Sequence, residues 1–305
     1  MIVYRELSSL TRDLGFSART LYAVSNRIER HYRPAEIPAR DGGVRRLSLP
    51  DPLLKAIQRA VYRQLLFHEA VSPYASAYRP GGSTLRNARP HVGAGTVLKL
   101  DVRHFFDSVI YPLVKEKAFP AERYSEANRI LLTILCTFRD ALPQGAPTSP
   151  AISNLILRDF DDVGGGWCRA RGIAYTRYCD DMTFSGGAPE PGELLPLVRE
   201  ELGKLGLYLN DGKTCLLGPG RRHTVTGIVV NEKLSAPREY RRRLRQELYC
   251  CRRFGPASHL ARLGSEEPEE RYLARLLGQM EYVLSIEPDD REMREYRTWL
   301  RQERR

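Results

Sequence analysis

Residues 178–186 read YCDDMTFSG, and together with AYTRY (174–178) they alternate like two strands of a hairpin meeting at Cys179-Asp180. Neighbouring side chains in a regular strand point to opposite faces. Asp180 and Asp181 therefore approach one ion together only where a tight turn separates the strands. A further carboxylate, Asp101, ends the apolar run VLKL (97–100). Burying an unpaired carboxylate is costly, so acids at strand ends beside apolar runs pair with cations or bind metal. An Asp from one strand and an Asp pair on a neighbouring hairpin make a suitable frame for two Mg²⁺ ions. Mg²⁺ prefers few carboxylates, several waters and substrate phosphate oxygens, and two such ions about 4 Å apart clamp the attacking and leaving oxygens of phosphoryl transfer. Taken alone, an Asp-Asp pair is more often a solvated turn. Its neighbours decide the matter.

Working outward, Thr96–Val102 (TVLKLDV) predicts a strand, and a helical region follows to about residue 138. In ALPQGAPTSP (141–150), prolines at 143, 147 and 150 forbid regular structure before a helix from Ala151 to about Asp162. Gly164–Gly166 is expected to break the chain. Glu193–Leu205 reads as an amphipathic helix, GLYLN and KTCLLG as strands around Asp211-Gly212, and 224–231 as another strand pair. Toward the N-terminus, residues 1–35 read as helical, with Leu10, Leu14, Leu21, Val24 and Ile28 at helical intervals. IPAR (37–40) and VRRLSLP (44–50) are extended about the turn signal Asp41-Gly42-Gly43, and Pro50-Asp51-Pro52 opens a helix. A short helix is expected around Leu85–His91. From Pro237 onward the chain is helical and Arg-rich.

The charge is +11, from 48 Lys plus Arg against 37 Asp plus Glu, and only seven of the 48 are Lys. Arginine grips phosphate with a planar fork and stacks on bases, which favours a nucleic-acid partner, although GC-rich coding bias raises Arg over Lys equally well. The clustering is better evidence: PREYRRRLRQELYCCRRF (237–254) holds seven Arg. On a helix Arg238, Arg241, Arg242 and Arg245 share one face, with Tyr240, Leu244, Leu248 and Cys251 on another. No apolar run approaches the length of a membrane span, and MIVYRELSSLTRDLG carries no signal-peptide core. Six cysteines show no CxxC pair, so reduced thiols in a cytoplasmic protein are expected, with no membrane partner. GLYLNDGKT (206–214) imitates a phosphate-binding loop, but five residues separate Gly206 from Gly212 where the pattern requires four, and it leads into a strand.

Three stretches in order carry a family likeness: LKLDVRHFFDSV (98–109), LPQGAPTSPAISN (142–154) and YCDDMTFSG, with Asp180 79 positions after Asp101. They resemble the first catalytic motif, the nucleotide-cradling loop and the YxDD hairpin of reverse transcriptases. The resemblance is nearest to retron reverse transcriptases and runs over most of the chain. IPARDGGVRRLSLPDPLLKAIQ (37–58) looks like their fingers segment, NARPH (87–91) like their NAxxH signature, VTGIVVN (225–231) like their VTG segment, and PREYRRRLR with LLGQMEYVLSIEP like their thumb. Cys179 departs from the usual Ala and Arg40 from the usual Lys.

The resemblance implies an α+β right-hand polymerase, with fingers over 1–95, an antiparallel-sheet palm over 96–235 and a helical thumb over 236–305. It implies metal ligation by Asp101, Asp180, Asp181 and the Val102 carbonyl, with two Mg²⁺ ions. Lys213 would sit near the leaving pyrophosphate as a proton donor, and Phe106 would be the aromatic gate against a 2′-OH, with Phe105 in the core. Gln144 and Gly145 would meet the nucleotide, and Arg40 and Arg45 would hold its triphosphate. Asn87, His91, Val225, Thr226 and Gly227 are assigned to the RNA, His91 either contacting it or ordering its own helix. Arg238, Arg241, Arg242 and Arg245 are assigned to RNA phosphates. The implied partners are dNTPs, a cognate structured non-coding RNA with its RNA–DNA product, and a separate effector protein in anti-phage defence. Rival readings are an abortive-infection or intron-derived reverse transcriptase, a palm-fold nucleotidyl cyclase, and a non-catalytic RNA-binding module.

Overall fold

The computed structural model describes residues 3–38, 42–186 and 191–303 and falls into two compact units, Met1–Ser83 with Thr96–Leu216 and Thr84–Gly95 with Leu217–Arg305. The first begins with α1 (Leu7–Leu14), which ends on Gly15 at φ +74, and α2 (Ala18–Ser25), whose Thr20 amide donates to the Ser17 hydroxyl at 3.1 Å. An antiparallel ribbon follows, β1 (Tyr32–Pro38) against β2 (Val44–Pro50). The ribbon starts inside the stretch expected to be helical. Pro34 cannot donate within a helix, and Tyr32 is instead held opposite Pro50, with its hydroxyl accepting from Gln58 Nε2 at 2.8 Å. Asp51 then caps α3 (Pro52–Val61) by accepting the Leu54 amide at 2.8 Å.

After α4 (Thr84–Ala88), which belongs to the second unit, comes the central strand β3 (Val97–Asp101). Three helices follow: α5 (Phe105–Ser108), α6 (Tyr111–Ala118) and α7 (Glu126–Cys136). The proline-rich loop leads to α8 (Ser149–Ile156) and α9 (Arg158–Ala170), then to the hairpin β4 (Ala174–Tyr178) and β5 (Asp181–Ser185), α10 (Pro191–Gly203) and β6 (Cys215–Leu217). The sheet order is β4-β5-β3-β6, with β5 antiparallel to both β4 and β3. Leu98, Leu100, Met182 and Phe184 are at most 1% exposed and pack in one core with Ile152, Ile156, Phe160 and Val198. Each such side chain stabilises the fold by about 1.5–3 kcal/mol.

The glycine run 164–166 does not break the chain; it lies within α9. Local propensity is overridden by packing, because a Cβ on Gly165 would stand 2.1 Å from the Tyr74 ring. The glycine lets that ring lie against the helix. The strands expected around Asp211-Gly212 are also shorter: Leu209 makes a single bridge to Val102, and Asp211–Lys213 is one tight helical turn.

The second unit contains the hairpin β7 (Thr224–Val225) and β8 (Ile228–Val229), then α11 (Arg238–Phe254), α12 (Pro256–Arg262), α13 (Glu269–Ile286) and α14 (Arg291–Glu303). Its core joins Leu244, Leu248 and Cys251 to Tyr272, Leu276, Met280 and Val283, with Tyr240 packed beside them. Residues 84–95 belong here because Ala88 enters this core, Thr226 Oγ1 donates to Thr84 O at 3.0 Å, and Gly93 N donates to Val230 O at 2.9 Å. The compact units thus cut the chain differently from the divisions read at residues 95 and 235. The six cysteines are free thiols, and no helix among the described residues is long and apolar enough to cross a membrane.

Candidate active site

The β4–β5 hairpin turns on two residues, Cys179 and Asp180, between the paired Tyr178 and Asp181. Cys179 takes φ +61, the sign that tight hairpin turns require at their first central position. Holding a residue with a Cβ there costs about 1 kcal/mol. Asp181, the first residue of β5, stands opposite Asp101, the last of β3, across the antiparallel ladder. Three carboxylates are thereby gathered at one end of two adjacent strands. Asp101 is 7% exposed. Its Oδ2 accepts from Lys213 Nζ at 3.0 Å and its Oδ1 from Asn210 Nδ2 at 3.4 Å. Backbone bonds fix the chain on either side of Val102: Asn210 N to Asp101 O and Arg103 N to Tyr208 O, both 2.8 Å.

The electrostatics are those of an acid cluster with too little countercharge. Burial, then the charges of Asp180 and Asp101, push the Asp181 carboxyl up to about 6. Asp180 is raised as well, first by burial and further by Asp101. The Lys213 ammonium opposes both shifts and is itself held above its ordinary value, first by its bond to Asp101. Burial pushes the Cys179 thiol up to about 12, so it stays protonated and offers no thiolate ligand. The donors are all oxygens, which suits a hard divalent cation better than zinc or copper. Among the described residues no three His, Cys, Asp or Glu side chains already stand in ligating geometry; the Lys213 ammonium supplies the countercharge at Asp101.

Around this cluster the strand–loop contacts are specific. Gly145 has φ +119, and a Cβ there would come within 3.0 Å of Leu49 Cδ2 and 3.1 Å of Ser48 O. Gln144 O accepts the Ser48 amide at 2.9 Å. The loop carrying Gln144 and Gly145 is therefore seated on β2, the strand that bears Arg45. Arg45 is exposed, whereas its neighbour Arg46 pairs with Glu36 at 3.5 Å. Arg40 lies outside the described residues. Phe105 is 3% exposed in the core, and Phe106 is half-buried beside it. Sequence reasoning missed Asn210, which donates to Asp101, and Tyr78, whose hydroxyl stands near Cys179 and Asp180. A pattern search has no handle on either, because each acts through the fold and not through a motif.

The profile of a family described as "Reverse transcriptase (RNA-dependent DNA polymerase)" matches residues 37–233, a span containing all three carboxylates, Gln144, Gly145 and Lys213. The retron Mx65 reverse transcriptase of Myxococcus xanthus is 34% identical over 313 residues, covering 95% of this chain and 70% of that protein. The chain belongs to the retron reverse transcriptases. A second member, the retron Ec86 reverse transcriptase of Escherichia coli, is 32% identical over 258 residues, covering 81% of this chain and 78% of that protein. Membership makes the chain an RNA-directed DNA polymerase, of a family that works with divalent metal ions, and sets aside the cyclase and non-catalytic readings.

In the second unit of this retron reverse transcriptase the residues assigned to RNA separate into two groups. Asn87, His91 and Val225 are fully buried. Burial also pushes the His91 imidazole down to about 4, leaving it neutral. Thr226 and Gly227 form a two-residue turn with φ +46 and +84, the backbone signature of a type I′ hairpin. On α11, Arg238 and Arg242 are exposed and line a cleft of ≈ 610 Å³. Arg241 is instead clamped between Glu287 at 3.1 Å and Asp290 at 2.8 Å, and Arg245 pairs with Glu292 at 2.6 Å.

Proposed function

We propose that this enzyme copies a cognate structured non-coding RNA into single-stranded DNA that stays joined to the RNA, using two Mg²⁺ ions held by Asp101, Asp180, Asp181 and the Val102 carbonyl. The observation that carries the reading is the convergence of three carboxylates through the Asp101–Asp181 register and the two-residue turn. Bound there, the ions would activate the attacking hydroxyl and neutralise charge on the transferred phosphate. Lys213, protonated and poised on Asp101, suits donation of a proton to the leaving pyrophosphate. Arg40 and Arg45 hold the triphosphate, Phe106 excludes ribonucleotides, and Gln144 and Gly145 meet the incoming nucleotide. On this reading residues 1–95 act as fingers, 96–235 as palm and 236–305 as thumb, and the DNA product serves anti-phage defence with a separate effector protein.

The priming hydroxyl is the internal 2′-OH of a guanosine in the folded RNA. A two-metal site requires only an oxygen in line with the α-phosphate, and an internal 2′-OH needs no free RNA end. The DNA that co-purifies with the protein should therefore change mobility and gain a new 5′ end after treatment with an enzyme specific for 2′–5′ branches. Unaltered mobility and ends on a denaturing gel would remove 2′-OH priming from the reading.

The arginine face divides into two expectations. Replacing Arg238 and Arg242 with Gln should weaken RNA binding and lower the log–log salt slope by roughly 2 for duplex-like contacts. Arg241→Gln should instead destabilise the second unit, because Asp290 and Glu287 are only 7% and 11% exposed in their side chains and would lose the guanidinium between them, leaving Glu287 only Lys233 at 4.0 Å. Equal salt slopes for the wild type and the Arg238/Arg242 pair variant would return that face to solvent.

A further inference from the structure

We infer that Arg177 is a positioning residue for the catalytic turn, a strut that sets the peptide plane from which Asp180 projects. The inference rests on the carboxylate-site reading above. Arg177 is the largest fully buried side chain among the described residues. It sits on β4, two residues before Cys179, in a sheet where apolar side chains would fill the space at no electrostatic cost. Its guanidinium grips Asp161 of α9 with two parallel bonds, Nη2 to Oδ2 at 2.5 Å and Nε to Oδ1 at 2.8 Å. Asp161 is itself fully buried and also accepts the Tyr175 hydroxyl at 2.7 Å.

The other end of the fork reaches the active site. Nη1 donates to Cys179 O at 2.8 Å and to Asn154 Oδ1 at 3.2 Å. Asn154, on α8, in turn donates to Ala77 O at 2.9 Å. The Arg177 main chain is fixed too: its N–H donates to Tyr74 O at 2.9 Å, and its carbonyl accepts from Ser76 N at 2.7 Å. Side chain and backbone are thus bonded to α8, α9, the 179–180 turn and the 74–76 segment, all within the first unit.

Stability alone is a poor account of this arrangement. A buried ion pair scarcely outweighs its own desolvation, and apolar replacements of equal volume are often neutral or better. What an apolar pair lacks is a donor for Cys179 O. That carbonyl belongs to the same rigid peptide plane as the Asp180 amide, so bonding it fixes the rotation of the plane that launches Asp180. The need is acute here because Cys179 is held at φ +61, a conformation a residue with a Cβ leaves readily when nothing restrains it. Lysine is no substitute. Its single ammonium cannot make the two-pronged grip on Asp161 and also reach Asn154 and Cys179.

The test separates packing from positioning. Arg177→Met alone should lower Tm sharply, because it strands the Asp161 carboxylate. The pair D161L/R177M removes both charges and should regain most of that Tm. Positioning requires that the pair variant keep a kcat about tenfold or more below wild type, since displacement by about 1 Å already costs far more than packing repairs. Its affinity for Mn²⁺, read as free ion by electron paramagnetic resonance without substrate, should fall about threefold or more, a loss of at least about 0.7 kcal/mol by the tenfold-per-1.4 kcal/mol relation. Wild-type kcat and Mn²⁺ affinity in the refolded pair variant would overturn the inference. If neither Met variant folds, Arg177→Lys decides: reduced kcat and weaker Mn²⁺ binding below its Tm support the strut, and wild-type values for both overturn it. Asp180→Asn, run alongside, tells the two readings apart. An active Asp180→Asn enzyme sinks the site itself, whereas an inactive one beside a fully restored D161L/R177M enzyme sinks only the role of Arg177.

Discussion

Asp180→Asn lowers DNA synthesis by about 10³-fold or more, the several kcal/mol that charge neutralisation by bound metal supplies to phosphoryl transfer. Asn keeps the volume of the side chain, and the turn is held by its backbone and by the Tyr178–Asp181 pairing, so the fold should not suffer. A gain in stability is expected instead. The charge on Asp180 is one of the causes that push Asp181 up to about 6, and removing it relieves the repulsion among the acids. RNA binding should remain near wild type, because the substitution leaves the exposed Arg238 and Arg242 untouched. Single-nucleotide incorporation, filter binding of the RNA and a thermal melt measure the three arms. Incorporation within tenfold of wild type would detach this turn from the chemistry, whatever the other two arms gave.

The parts of this site that a sequence exposes are those written in local patterns. VLKLD and YCDDMTFS alternate or run apolar and then end on acids, so both strands and the Asp101–Asp181 encounter are legible. The seating of Gly145 on β2 is partly legible, since a glycine flanked by prolines announces an unusual backbone but not the strand it meets. Long-range pairing is what escapes. Nothing in the glycines of 164–166 tells that a tyrosine from residue 74 lies against them, and propensity alone argues for a break. The four arginines of α11 look equivalent on a helical projection. Two are tied up by Glu287, Asp290 and Glu292, some 45 residues along the chain. Asn87, His91 and Val225 show the converse: a signature that resembles an RNA-contacting segment does not tell that its side chains are interior. Arg177 was invisible for the same reason, because a strand arginine reads as surface until Asp161 is found beside it.

Phe106→Ala opens the enzyme to ribonucleotides, with discrimination against rNTPs falling on the order of 10²-fold, since exclusion by steric overlap disappears with the ring that causes it. The geometry separates this residue from its neighbour. His104, at φ +45, turns the chain out of β3 and into α5. Phe105 and Phe106 are consequently successive helical residues about 100° apart, and not the opposite faces of a strand. One ring goes into the core at 3% exposure; the other remains half-buried, braced edge-on with centroids 5.4 Å apart and planes at 61°. On the proposed reading, a ring supported on one side and open on the other stops a sugar hydroxyl without yielding. Phe105→Ala is the matched control. It should destabilise the first unit by about 3–5 kcal/mol, as loss of a core aromatic does, and leave sugar discrimination unchanged in the folded fraction. Primer extension with paired dNTP and rNTP reads both variants. If Phe106→Ala still rejects rNTPs as the wild type does, the ring is packing, and the selection of deoxyribose lies on another residue.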